Sequence, residues 1–281
     1  MRGHFGWALA SVVSAGLIGL GGAAAADLPL KARPMPVAVA AYNWTGCYVG
    51  GNIGGKWARE GDVVNIAAAT GPGGPSPASS LDLGTATPST FIGGGQVGCN
   101  WQSGHLVLGI EGDAEAQHYG RTTTLVGFPA TLFVPGDTFD LRSDWQASVR
   151  GRIGYAWDRT LLYVTGGVAF TDLRATTTWV PGVFGGFAFP GTFTSQTKDL
   201  VGGTVGVGVE QAITDNFTVG VEGRYTWYGS QTFDGGQLAT STLRGTLFTF
   251  APTTRDVRLE TAEVLLKANW KFNSGPVVAK Y

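Results

Sequence analysis

The chain has 281 residues, 45 of them glycine and nine tryptophan, with 14% charged residues and a formal net charge of −1. Ordinary soluble domains carry about 25% charged residues and about 7% glycine, so this is not the composition of a typical soluble surface. The near-zero charge supplies no general basic field for nucleic acid and no acidic tail.

The N-terminus, MRGHFGWALASVVSAGLIGLGGAAAA, sets Arg2 before an apolar core over residues 7–20 and ends in Ala24-Ala25-Ala26. That layout predicts a cleavable secretory signal over residues 1–26, and the core is short for the alternative, a spanning anchor. Residues 27–41, DLPLKARPMPVAVAA, are proline-rich and lack a period, as expected of a short periplasmic lead-in. No later apolar run reaches the roughly 20 residues a spanning helix needs. An exported, glycine-rich, aromatic-rich chain without such a helix suggests a transmembrane β-barrel, whose per-strand signal is weak and must be found by repetition.

Alternation recurs eight times, over about 42–57, 91–101, 106–117, 144–157, 161–171, 200–211, 216–228 and 259–272. Each segment suffices for a tilted strand of ~9–11 residues. Long Gly/Pro/Thr/Ser-rich connections (59–90, 118–143, 172–199, 229–258) alternate with tight turns (102–105, 158–160, 212–215). Eight strands with both termini periplasmic require four outward loops and three inner turns, which is this order. The expected fold is therefore an all-β, eight-stranded antiparallel up-and-down barrel over 42–272, followed by a tail, 273–281. A soluble sandwich or lipocalin-like barrel is the alternative, but its outside should be far more charged.

Parity separates two faces. In VGGTVGVGVEQ, Val205, Val207 and Val209 oppose Thr204, Gly206, Gly208 and Glu210. The run is no dinucleotide fingerprint, because Gln211 stands where the third glycine belongs, and no P-loop lysine follows. The other segments place Glu111, Asp113, Glu115, Arg150, Arg152, Glu210, Glu222, Arg224, Glu263, Lys267 and Lys271 on the polar face. An eight-stranded barrel has room inside only for side chains, and charges there are costly unless paired. Six acids and five bases predict a lumen of interlocked ion pairs, with glycines making room for long side chains. Trp57, Trp101, Trp157, Trp227 and Trp270 lie at ends of the apolar faces, where membrane interfaces favour such rings. Cys47 and Cys99 share the apolar parity near the same end of neighbouring strands, a placement compatible with a disulfide in an oxidising envelope.

The phrases WTGCYVGGNIGG, GGGQVGCNW, GIEGD, VRGRIGYAWDRTLLYVTGGVAF, TVGVGVEQAITDNFTVGVEGRY and KANWKF resemble the small outer-membrane β-barrel proteins of alphaproteobacteria. These are labelled porin-family or surface-antigen proteins and are related to the OmpA-like eight-stranded barrel. The resemblance runs from about Trp44 to Phe272, in strands rather than loops. It implies an outer-membrane location and a role in envelope integrity or surface exposure, with no defined substrate. Such barrels end on an aromatic that the assembly machinery reads; Phe272 is the expected strand-closing residue, because Gly275-Pro276 interrupts the pattern beyond it.

A lipid-modifying enzyme would need a nucleophile and base near the outer leaflet. Beyond the signal segment the histidines are His105, at a turn, and His118, which has no nearby serine. Glu111, Asp113 and Glu115 on one strand face read as ion-pairing partners rather than a glycosidase or metal set. The expectation is no catalytic residues, cofactor, metal or nucleic acid. The expected partners are outer-membrane lipid and lipopolysaccharide, the barrel-assembly machinery through the last strand, and a protein met by the loops. Loop aromatics Trp179, Phe184, Phe187, Phe189, Phe248 and Phe250 either meet a partner or pack on one another. The functional expectation is a structural or surface-exposed barrel, with a narrow passive channel for small solutes as the alternative.

Overall fold

The structure, a computed structural model, describes residues 42–71, 74–126, 135–184, 187–189, 191–241 and 248–272. The expected signal, lead-in and tail (1–26, 27–41 and 273–281) lie outside these residues. The strands are β1 (Gly46–Ile66), β2 (Ala69–Gly71), β3 (Gly74–Ser76), β4 (Ser79–Ala86), β5 (Ser89–Ser103), β6 (Leu106–Thr124) and β7 (Thr138–Trp157). They continue with β8 (Thr160–Trp179), β9 (Gly182–Phe184), β10 (Phe187–Phe189), β11 (Thr192–Ala212), β12 (Phe217–Ser241) and β13 (Phe248–Lys271).

Nine of these form one antiparallel sheet in the order β13-β12-β11-β8-β7-β6-β5-β1-β4, closed by a β13–β1 ladder. The barrel nevertheless has eight walls. β4 and β5 both pair with β1, at Glu60↔Ala86 and Trp57↔Ser89 respectively. They are one strand broken at Thr87-Pro88, where proline has no N–H for the ladder. The inner turns are tight, and Gly104 (φ 60°) and Asp158 (φ 51°) adopt the left-handed conformation their turns require.

Along the turn-proximal half, apolar residues point outward and polar ones inward. On β13, Val264, Leu266 and Trp270 are exposed, while Glu263, Lys267 and Asn269 are buried. All five tryptophans expected at strand ends point outward: Trp101, Trp157 and Trp270 near the turns, Trp57 and Trp227 at the far edge of the band. Phe91, Trp145, Phe170 and Tyr225 complete that far edge. From Trp157 to Trp145 along β7 is about 12 residues, or ~40 Å of strand, which spans roughly 30 Å at a tilt near 40°.

Beyond this band the four long connections are strand for at least half of their length. β12 and β13 run for 25 and 24 residues, far past the expected 228 and 259. The alternation continues with inverted polarity. Leu259 and Val257 now point inward, whereas Arg258 and Thr254 are exposed. Register shifts between Gly61/Val63, Ala116/Tyr119, Arg142/Gln146, Trp227/Gly229 and Asp234/Gly236 further break the simple period.

This far half is two sheets. The β5–β6 ladder stops at Ile92↔Gln117 and the β11–β12 ladder at Gly203↔Trp227. Past those points β6, β7, β8 and β11 pair among themselves, as do β12, β13, β1 and β4. Tyr119, Leu141, Leu173 and Leu200 of the first sheet meet Tyr228, Phe233, Val257 and Leu259 of the second. A second layer joins Phe139 and Trp179 to Val64, Ile66 and Ala251. Trp179 is therefore a core residue, packed edge-on to Phe139 at 5.4 Å. The side chains of Phe184, Phe187, Phe189, Phe248 and Phe250 lie outside the described set.

Candidate functional site

Inside the membrane-width band, the inward positions of six strands supply a continuous charged network. Arg150 on β7 bonds Glu111 and Asp113 on β6, each at 2.8 Å, and Glu222 across the lumen on β12. Arg152 joins Glu111 (2.7 Å) to Glu210 on β11 (3.1 Å). Arg224 holds Asp113 and Glu115 at 2.9 Å and Glu263 at 2.6 Å. Lys267 sits between Glu111 (2.6 Å) and Glu222 (3.0 Å). Ten of the eleven charged residues assigned to the lumen by parity are thus in one buried cluster, none more than 6% exposed.

Neutral groups occupy several of the remaining bonding positions, leaving Arg150 Nε, Arg152 Nε and Glu263 Oε1 without a close hydrogen-bond partner among the described residues. Tyr48 donates to Glu111 (2.6 Å) and Tyr163 to Glu222 (2.9 Å). Asn269 donates to Glu210 (2.9 Å), Ser148 to Asp113 (2.7 Å) and Gln146 to Glu115 (2.9 Å). The Arg152 guanidinium lies over the Tyr163 ring at 4.0 Å. Glycine makes this density possible: a Cβ at Gly208 or Gly98 would stand 2.5 Å from the hydroxyl of Tyr163 or Tyr48. A buried charge is tolerated when it is paired and its remaining hydrogen-bonding capacity is used.

Lys56 is the member that parity reading missed. It bonds Gln117 (2.8 Å) and Gln146 and lies 3.5 Å from Glu263. Its signal was present, since Lys56 shares the parity of Tyr48 and Asn52 and opposes Ile53 and Trp57. Lys271, grouped with the lumen charges from sequence, stands instead at the mouth. Its ammonium lies 4.2 Å from the Tyr42 ring centroid and donates to the Asn43 carbonyl. As the last residue of β13, at the turn-side end of the barrel, the lysine reaches the entering N-terminal segment rather than the acids.

That segment was expected to be strand from residue 42, but 42–45 cross the turn-side mouth instead. Trp44 is 1% exposed; its indole donates to the Asp158 carbonyl (3.1 Å) and its backbone N–H to Gln102 (2.7 Å). Tyr42 and Trp44 pack with Val107, Ala156, Leu161, Tyr163 and Ala212. The lumen is consequently filled in layers: an aromatic floor, the charge network, and the apolar core between the two far sheets. Asp62 and Arg255 interrupt that core as a buried pair at 2.5 Å, and Arg255 also donates to the Thr176 carbonyl of the opposite sheet at 3.0 Å.

Cys47 and Cys99 are register partners on β1 and β5 with Cα atoms 3.9 Å apart, and their sulfurs are bonded on the outer wall. Phe272 is exposed, and its N–H donates to Cys47 O at 2.8 Å, extending the β13–β1 seam past the last strand residue. His105 stacks on Tyr155 (5.2 Å between centroids), and its Nδ1 is 3.0 Å from the Ala156 carbonyl.

Residues 13–255 match the family model described as outer membrane protein beta-barrel domain. The chain is 31% identical to the 31 kDa outer-membrane immunogenic protein of Brucella melitensis, over 74% of this chain and 82% of that protein. It is 27% identical to the 25 kDa outer-membrane immunogenic protein of Brucella abortus, over 88% and 93% of the two chains. Among solved structures, the outer membrane protein OprG of Pseudomonas aeruginosa matches 83% of this chain and 99% of its own, at 11% identity and a TM-score of 0.43.

Proposed function

The chain belongs to the outer-membrane protein β-barrel family, and from that premise we propose that it is a closed wall protein whose work is envelope integrity and surface contact. The carrying observation is the charge network. Arg150 and Arg224 reach across the lumen to acids on several strands, so the cross-section is bonded side chain rather than water. The Tyr42–Trp44 segment closes the periplasmic mouth beneath it.

The role is non-enzymatic. Glu111, Asp113 and Glu115 are occupied by guanidinium groups, and the His105 ring is held by Tyr155 and a backbone carbonyl. Contact is made outward. Arg59, Arg142, Arg174 and Arg258 are exposed just beyond the far aromatic edge, the height at which lipopolysaccharide phosphates meet guanidinium groups. The hydroxyl-rich outer faces of the two extracellular sheets, which carry Asp82, Asp199 and Asp234 beside these arginines, are the surface for a protein partner. The outward Phe272 at the end of β13 supplies the aromatic read by the assembly machinery. The Cys47–Cys99 bridge pins β1 to β5 beside the periplasmic floor, and alkylation without reductant is expected to label neither sulfur.

Proteoliposomes carrying residues 27–281 test the reading. They are expected to swell in small sugars no faster than protein-free vesicles. Faster swelling would make the protein a narrow passive channel instead.

A further inference from the structure

The two extracellular sheets meet along two seams that lack backbone ladders, and the seams are unequal. At β11/β12, side chains replace the ladder with four bonds. Lys198 donates to the Thr232 carbonyl (2.5 Å), Thr192 to the Gln237 carbonyl (2.8 Å) and the Trp179 indole to the Gly235 carbonyl (3.0 Å), while the Asp234 N–H donates to Gln196 (2.9 Å). The Lys198 ammonium also stands 5.4 Å over the Phe233 ring.

The β4/β6 seam has less. Along β4 the described bond is from Arg121 to the Leu83 carbonyl, at 3.2 Å, and the Thr90 hydroxyl donates to the His118 carbonyl at the seam's foot. Behind it the polar contacts centre on one buried acid. Glu60 of β1 is fully buried and faces the Tyr119 hydroxyl of β6 across the seam, without the short, well-aligned bonds of the lumen acids. Arg121 approaches Glu60 only to 3.8 Å. A buried carboxylate with partners this distant is poorly compensated, so this seam is held less firmly than the other.

β4 itself is poorly tied. It is eight residues long and has one ladder, to β1, whose register slips between Gly61 and Val63. Gly84 within it has φ +81°, and the strand is cut from β5 at Thr87-Pro88. One anchor holds that cut, the Ala58 N–H to the Pro88 carbonyl at 3.0 Å.

We propose that β4 is a flap hinged at residues 87–88, which swings away from β6 and opens the core between the extracellular sheets while the β11/β12 seam stays shut. The swing exposes two free strand edges. Behind them it uncovers a cleft with Leu81, Leu83 and Val64 on its apolar side and Glu60, Tyr119 and Arg121 on its polar side. Free strand edges of this kind pair with extended polypeptide. The charge network below is untouched, so the motion is independent of whether the lumen conducts.

Val64 and Leu173 provide the test. Both are 0% exposed, and each lies one strand in from its seam, Val64 behind β4 and Leu173 behind β11. With the full barrel refolded in lipid and the wild type as the blank, Val64→Cys is expected to react with a soluble maleimide at least tenfold faster than Leu173→Cys. Adding Arg121→Ala should speed Val64→Cys further and leave Leu173→Cys unchanged. Equal rates, a faster Leu173→Cys, or indifference to Arg121→Ala would overturn the flap. Hydrogen–deuterium exchange of the wild type avoids any folding defect in the variants. Amides of β4 and of β6 residues 118–124 should exchange faster than those of β11 residues 192–202 and β12 residues 229–237, and the reverse order refutes the proposal.

Discussion

The same strands build two opposite interiors. Within the membrane band the ring is continuous, its outside is apolar and its inside is ionic. Beyond the band the ring divides into two sheets, the outside turns polar and the inside apolar. The medium outside decides which arrangement holds. Lipid supplies no hydrogen bonds, so every backbone group there must be laddered and apolar side chains must face out. In water a sheet may end in an edge, and the ordinary rule of apolar residues inside returns. The charges of the lower half are held by mutual bonding, whereas the upper half is held by contact between packed side chains.

The sharpest way to break this comparison is to remove one hub of the lower network. Arg224→Ala leaves Asp113, Glu115 and Glu263 without their shared guanidinium, and loss of one partner of a buried pair costs about 3–5 kcal/mol. The expected outcome is a large drop in the denaturant midpoint of the refolded barrel, and an unchanged midpoint would count against a tightly bonded lumen. In the upper half Leu173→Ala creates a cavity at a fully buried site and should cost about 2–5 kcal/mol. Its effect should appear as faster exchange in β6, β7, β8 and β11 above the band, with the lower ladders protected.

Two buried acids contrast the halves directly. Glu263 is bonded by Arg224 at 2.6 Å and approached by Lys56, whereas Glu60 meets the Arg121 guanidinium only at 3.8 Å and faces the Tyr119 hydroxyl. Glu263→Gln should therefore lower the midpoint, while Glu60→Gln should raise stability by about 1–2 kcal/mol by removing a poorly compensated buried carboxylate. Opposite signs support the contrast, and equal losses would mean that Glu60 is bonded in solution. The smallest effect is expected for Arg258→Ala. Its side chain is 70% exposed and its pair with Glu260 is worth only about 0.2–1 kcal/mol.

The band was legible because its alternation is steep: a charge or glycine against valine, leucine or tryptophan, as in NFTVGVEGRYTW. Period and parity located the eight walls and ten of the lumen charges. The upper strands were hidden by the polarity reversal. In RDVRLE, Arg255, Val257 and Leu259 share the inner face, so one strand face mixes a buried cation with apolar residues. Bulges such as Trp227/Gly229 shifted the parity again. The floor was hidden for another reason: YNWT carries two aromatics at the spacing of a strand, and only Gln102 near the end of β5 and the turn residue Asp158, both distant in sequence, draw Trp44 across the mouth. Lys56 was overlooked although its parity was clear, because β1 carries few other charges within the band.

The central claim is that the lumen is shut by bonded side chains, and single-channel recording in a planar bilayer addresses it most directly. Refolded residues 27–281 should give no steady current, and Arg150→Ala or Glu222→Ala combined with Trp44→Ala should open one. Steady, ion-selective conductance from the wild-type chain would contradict the account.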